Sequence, residues 1–166
     1  MTAFQHFVTQ NWQVDVRQYS QLHRWSIDQP QQFWDAVWRF CGVVASRPGN
    51  AAVVDFDHMP GARWFPGARL NFAENLLRYR DQRPAIIAWD EGGMRGRLSF
   101  RELYEQVARV ADVLRRYGLK PGDRVAAYMS NVPETVIAML AATSLGAIWS
   151  SCSPDFGLAG ALDRFG

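Results

Sequence analysis

Lysine is almost missing from this sequence: 17 of its 18 basic residues are Arg, and Lys120 stands alone. That leaves hardly a candidate for a catalytic lysine in the 166 residues. Cysteine is as scarce. Cys41 and Cys152 are too few for a disulfide framework and lack metal-site spacing, so a reducing compartment is expected. No charge of one sign prevails, because 18 basic residues face 16 acidic ones. A balance of +2 argues against a nucleic-acid partner. Long apolar runs are also wanting. The longest, Val136 to Ala142, is too short to cross a bilayer even when read on to Trp149. The opening MTAFQHFVTQ has neither the basic nor the apolar segment of a secretory signal. These absences predict a soluble cytoplasmic chain with no membrane partner.

Most site signatures are missing too. There is no phosphate loop of the G-x-x-x-x-G-K type, no G-x-G-x-x-G, no G-x-S-x-G elbow and no H-E-x-x-H. What remains is 48% hydrophobic and 20% charged, enough to bury a core of ordinary domain size.

Two compositional zones follow one another. Residues 1–83 are rich in Trp, Phe, Gln and Arg, with helix signals and turns but little strand pattern. Within them, Asp28 with Gln31 reads as a capping box. Phe33, Trp34, Val37, Trp38 and Cys41 follow at helical spacing up to Gly42. A tandem comes next, PGARWF from Pro60 and PGAR from Pro66, whose Pro-Gly pairs predict a looped segment. Its Trp64 and Phe65 are expected to pack onto the α/β body. Asn71 with Glu74 opens a short helix reaching about Tyr79.

Residues 84–166 alternate strand and helix signals. Ala85–Trp89 reads as a strand, Asp90–Gly93 as a hairpin turn, and Arg97–Phe100 as the returning strand. Ser99 with Glu102 is a second capping box, and Leu103, Val107, Val110, Ala111 and Leu114 form the apolar face behind it. Past Gly118 and Pro121-Gly122 come a strand at Arg124–Met129, a helix apolar nearly all round at Val136–Leu145, and a strand at Ala147–Ser150. Short connections between them predict a parallel βαβ unit. Asp155–Gly166 reads as the opening of one more helix, with the chain stopping inside it. The fold class is therefore α/β, a helical, loop-rich leader followed by the start of a parallel-sheet domain, truncated.

Three groups of residues invite chemistry. Asp55, Asp57 and His58 are read as a solvated acidic turn, since a hard metal needs more ligands, and no metal site is assigned. Cys152 lies between a strand and a helix start, where a thiol can become nucleophilic, but no histidine neighbours it in sequence. It is read as packed and inert, and no catalytic residue is assigned. Trp149, Ser150 and Ser151 stand at the expected carboxyl end of a strand, where open α/β sheets bind ligands.

The run PGARWFPGARLNFAENLL, Pro60 to Leu77, closely resembles the N-terminal signature of acetoacetyl-CoA synthetases, the acetoacetate–CoA ligases. PGDRVAAY from Pro121 and the stretch from Glu134 ending GAIWSSCSPDFG at Gly157 resemble the same family. The Phe33-Trp34 helix is similar to the N-terminal region shared with acetyl-CoA synthetases, and the doubled PGAR separates the acetoacetyl branch. The resemblance covers essentially the whole chain. It implies an acetyl-CoA-synthetase-type N-terminal region at 1–83 and the start of an AMP-binding domain of the adenylate-forming ligase type at 84–166. It further implies an AMP-forming acid–thiol ligase whose substrates are acetoacetate, ATP and coenzyme A, with Mg2+. The family's phosphate loop, magnesium-binding motif and catalytic lysine have no counterpart here, so an N-terminal fragment inactive alone is expected. By the same resemblance Trp149, Ser150 and Ser151 align with a segment contributing to coenzyme A binding, with Ser150-Ser151 in place of Gly-Gly. A stand-alone module that binds an acyl-CoA or a protein without chemistry is the second reading.

Overall fold

The computed structural model describes residues 1–166. Three helices open the chain: α1 at Thr2–Trp12, α2 at Tyr19–Asp28 and α3 at Pro30–Phe40. They close on Val8, Val16, Leu22, Trp25 and Ala36, with Phe4, Trp12, Val14 and Phe33 around the rim. Buried Gln5 ties the α1–α2 connection down, donating from Nε2 to the carbonyls of Val16 and Arg17, both at 2.9 Å. A buried amide bonded twice is stabilising where a free one would be costly. The capping box expected at Asp28 does not form. Asp28 is the last residue of α2, and α3 starts from Gln29 with Pro30 in its first turn and no side-chain cap. Gln31 turns instead to a two-residue strand, β1 at Val53–Val54. Its Oε1 accepts from the amides of Ala52 and Val53, each at 3.1 Å, and its Nε2 donates to the Val53 carbonyl.

β1 pairs antiparallel with β2 at Arg63–Trp64, so the first PGAR repeat holds a strand where a loop is predicted. Packing onto the α/β body is expected of Trp64 and Phe65 from the sequence, and each finds a ring partner on α3. Trp64 meets Trp34 edge-on at 5.3 Å, and Phe65 lies against Trp38 at 4.5 Å. Trp64 stays 46% exposed, its ring partners being Trp34 of α3 and Phe56 beyond β1.

Packing divides the chain into two units, Met1–Leu70 and Asn71–Gly166. The division falls ahead of the compositional change at 83. Helix α4, Phe72–Leu76, is shorter than the expected Asn71–Tyr79, and its Ala73 packs in the core of the second unit. Asn71 caps it by accepting from the Glu74 amide at 3.0 Å.

A hairpin follows, β3 at Pro84–Asp90 and β4 at Gly93–Ser99, antiparallel, with register shifts near each end. The returning strand begins earlier than predicted because Asp90 Oδ1 accepts from the Gly92 amide at 2.7 Å and closes a tight turn. Phe100 already belongs to α5, Phe100–Arg116, whose Leu103, Val107 and Ala111 are buried. Then come β5 at Arg124–Tyr128, α6 at Pro133–Ser144 and β6 at Ile148–Cys152. β5 and β6 pair in parallel, which is the βαβ unit the spacing predicts. Helix α6 buries Ile137, Leu140, Ala141 and Ala142. Val136, Ala138 and Met139 are only half-buried, so the all-round burial expected of it is incomplete. Gly146 ends that element at φ 78, and a Cβ there would stand 3.2 Å from the Pro121 side chain. Glycine is required on both counts. A 3-10 turn at Pro154–Phe156 leads into α7, Gly157–Phe165.

Candidate functional site

Parallel pairing from Arg124 opposite Ile148 to Tyr128 opposite Cys152 makes both strands end at one level. The Met129 amide donates to the Cys152 carbonyl at 3.1 Å and carries the ladder one step further. The carboxyl end of β6 is therefore Cys152, not Ser150. Trp149, Ser150 and Ser151 lie inside the strand, a correction to the expected boundary. The physical reason is register: β5 supplies Ala127 and Tyr128 as partners for Ser151 and Cys152, extending the ladder past Ser150.

Strand alternation puts Trp149 and Ser151 on one face and Ser150 on the other. The structure brings the first two together, the Trp149 indole N–H donating to Ser151 Oγ at 3.3 Å. All three residues are half-buried. Cys152 is buried at 6% exposure and free. The three histidines fall within the first unit, so no imidazole from the second unit can serve the thiol as base.

Beyond the strand end the backbone is pinned at several points. The Ser153 hydroxyl donates to Asp155 Oδ2 at 2.7 Å, and the Phe156 amide donates to the Ser153 carbonyl at 3.1 Å. The Pro154 carbonyl accepts twice: from the Gly157 amide, and from the Tyr128 hydroxyl at 2.7 Å. Gly157, at φ 63, takes a positive-φ conformation open to glycine, and α7 leaves the turn from it. The sequence reading missed Tyr128 and Pro154, which lie 26 residues apart. The rule that ligands meet open sheets beyond carboxyl strand ends could have drawn attention to Tyr128 as the end of β5.

The acidic turn behaves as a surface feature, with Asp55 Oδ2 bonded to Arg63 Nη2 at 3.0 Å. No three His, Cys, Asp or Glu side chains come together to hold a metal ion. An open groove of about 610 Å³ in the first unit is walled by Trp38 and Phe65. Its charged residues satisfy each other, Arg39 reaching Asp35 at 2.9 Å. No helix is long and apolar enough to cross a membrane.

Comparison with known proteins supplies the lineage. Residues 19–76 match the family model described as acetyl-coenzyme A synthetase N-terminus, and residues 72–162 match AMP-binding enzyme. An acetoacetyl-coenzyme A synthetase of Rhizobium meliloti strain 1021 is 52% identical over 148 residues, 89% of this chain and 23% of that protein. A malonamoyl-CoA synthetase of Penicillium aethiopicum is 43% identical over 99% of this chain and 24% of its own length. Among solved structures, acetoacetyl-CoA synthetase from Streptomyces lividans superposes with a TM-score of 0.88 at 42% identity, covering 99% of this chain and 26% of that one. The chain thus spans about a quarter of the length of the relatives it matches. Since the AMP-binding match runs from Phe72 to Leu162, over more than half of its residues, the chain belongs to the family of AMP-binding enzymes.

Proposed function

We propose that this chain is the N-terminal portion of an acetoacetate–CoA ligase of the cytoplasm. The observation that carries the reading is its likeness, over 99% of its length, to the Streptomyces lividans synthetase at 42% identity. In the full-length enzyme the acetoacetate carboxylate attacks the α-phosphorus of ATP, and the bond to pyrophosphate breaks. The thiol of coenzyme A, losing its proton to water, then bonds through sulfur to the acyl carbon as the acyl C–O bond to AMP breaks and AMP leaves. Adenylation is needed because a carboxylate oxygen is otherwise a poor leaving group. No three acidic, histidine or cysteine side chains gather on this chain, and no step is assigned to a metal on them.

Within this reading Trp149, Ser150 and Ser151 contribute to the coenzyme A site. The half-buried indole, fixed by its bond to Ser151, gives a flat apolar wall. Trp149→Ala in the full-length enzyme should then cut acetoacetyl-CoA formation more than acetoacetate-dependent ATP–pyrophosphate exchange. Equal losses in both half-reactions would mark Trp149 as a packing residue and remove it from the site.

The acyl group itself has a second reading. The Penicillium aethiopicum relative is named for malonamoyl-CoA, whose acid, like acetoacetate, carries a carbonyl β to the carboxylate. The shared substrate class is thus a short acid with a β-carbonyl. Exchange assays with acetoacetate, malonamate and acetate decide among them: acetate as the preferred acid would sink the class, and malonamate would shift the assignment.

A further inference from the structure

At the carboxyl ends of the parallel pair, one side chain from β5 reaches across to hold the backbone that follows β6. Tyr128 is the last residue of β5, and its hydroxyl donates to the Pro154 carbonyl at 2.7 Å. That carbonyl also accepts from the Gly157 amide, so a single oxygen joins the end of β5 to the turn that launches α7. The turn has its own internal ties through Ser153 and Asp155, but these are local and set only its shape. Beside the ladder bond from the Met129 amide to the Cys152 carbonyl, the Tyr128 bond ties the turn itself to the end of β5. Tyr128 is 49% exposed, so the phenol is not kept for core packing. A tyrosine whose ring is half in water and whose hydroxyl is bonded to a distant carbonyl serves mainly through that bond.

We infer that Tyr128 is a positioning residue: it holds Ser153–Gly157 as a fixed rim at the strand ends, and so sets the affinity for coenzyme A there. The inference rests on the ligase reading above, and it adds a residue that acts through the turn and not by touching the reacting atoms. A fixed rim lowers the ordering cost of binding, because the loop is already in the bound arrangement.

Tyr128→Phe keeps the ring and removes only the hydroxyl. In the full-length enzyme it should raise KM for coenzyme A about three- to tenfold, the worth of one hydrogen bond. In that variant kcat, and KM for ATP and for acetoacetate, should each move by less than about twofold. In the same full-length variant, hydrogen exchange at the Phe156 and Gly157 amides should speed about three- to tenfold, while amides in α5 keep their protection. An unchanged KM for coenzyme A, or an equal rise for all three substrates, overturns the inference. Unaltered exchange at Phe156 and Gly157 overturns it as well, whatever the enzyme does. An unmutated enzyme that makes no acetoacetyl-CoA would instead overturn the ligase reading, a result distinct from either of these.

Discussion

Gln31 sits near the start of α3, yet its amide performs for Ala52 and Val53 what a neighbouring strand would perform. It accepts from two backbone amides at 3.1 Å and donates to the Val53 carbonyl. Val53 is 1% exposed, so water is a poor substitute for these bonds. Gln31→Ala is expected to cost about 1–3 kcal/mol, the penalty for leaving such groups unpaired, read as a lowered urea midpoint. Trp64 presents the opposite case. Its sequence context suggests an anchoring tryptophan worth a large loss on truncation, but at 46% exposure it retains two edge-on ring contacts, with Trp34 and Phe56. Trp64→Ala should therefore cost about 1–2 kcal/mol. Leu140→Ala, at a site 2% exposed, should cost about 2–5 kcal/mol in the same titration. Equal losses at the two sites would show that the indole is covered in solution.

At the scale of the element, α5 combines a strong start with a narrow buried stripe. Leu103, Val107 and Ala111 recur every fourth residue and meet Ile137, Leu140 and Ala141 of α6 in one core. The start is a reciprocal box: the Glu102 amide donates to Ser99 Oγ at 3.2 Å, while Glu102 Oε2 accepts from the Ser99 amide and hydroxyl, both at 2.7 Å. Those bonds, the one from the Ser99 amide foremost, hold the Glu102 carboxyl below its ordinary pKa. A carboxyl depressed in the folded state stabilises above its unfolded pKa, and that contribution fades as pH falls through the lowered folded value. Ser99→Ala should cost about 1 kcal/mol at neutral pH. The gap between parent and variant should then narrow on acidification below the usual glutamate range, as followed by thermal unfolding at stepped pH. A gap that widens in acid would reverse the sign assigned to the box. Asn71 makes a similar economy between elements. It caps α4 and donates to the Thr143 and Ser144 carbonyls at 3.0 and 3.2 Å, satisfying the last turn of α6.

For the molecule as a whole, the sheets are the exposed element. β3–β4 and β5–β6 are separate two-stranded sheets, and in each both outer strand edges are unpaired. Apolar side chains stand out around them and on α7: Trp89, Ile148, Leu158 and Leu162 are all more than half exposed. Unpaired edges beside apolar surface favour association. The 166-residue chain is expected to self-associate as concentration rises, read by light scattering, and Leu158→Asp should reduce this without lowering the unfolding midpoint. A chain monomeric at all concentrations would remove the argument. The same chain should catalyse no acetoacetate-dependent pyrophosphate exchange, since it offers no glycine-rich phosphate cradle.

Much of this was legible in the sequence, and the legible part is local. The recurrence of Leu103, Val107 and Ala111 at every fourth residue, the Ser99–Glu102 spacing, and the stops at Gly118 and Gly146 depend only on neighbours within a turn or two. They give α5, its cap, the βαβ order and, through PGARWFPGAR, the lineage. The tertiary structure decided what depends on distant partners. Asp28 with Gln31 has the spacing of a cap, yet a strand 22 residues away claims the glutamine. Ser151 and Cys152 lie past the apolar run that marks the strand in the sequence, yet β5 offers them a ladder and moves the strand end two residues beyond Ser150. Trp64 is a large apolar residue in an aromatic-rich run, yet the fold leaves it 46% exposed with ring contacts to Trp34 and Phe56. Periodicity records which face a segment must bury. Which hydrogen-bonding group meets it there is fixed by the folded path of the rest of the chain, as when Tyr128 comes to hold Pro154.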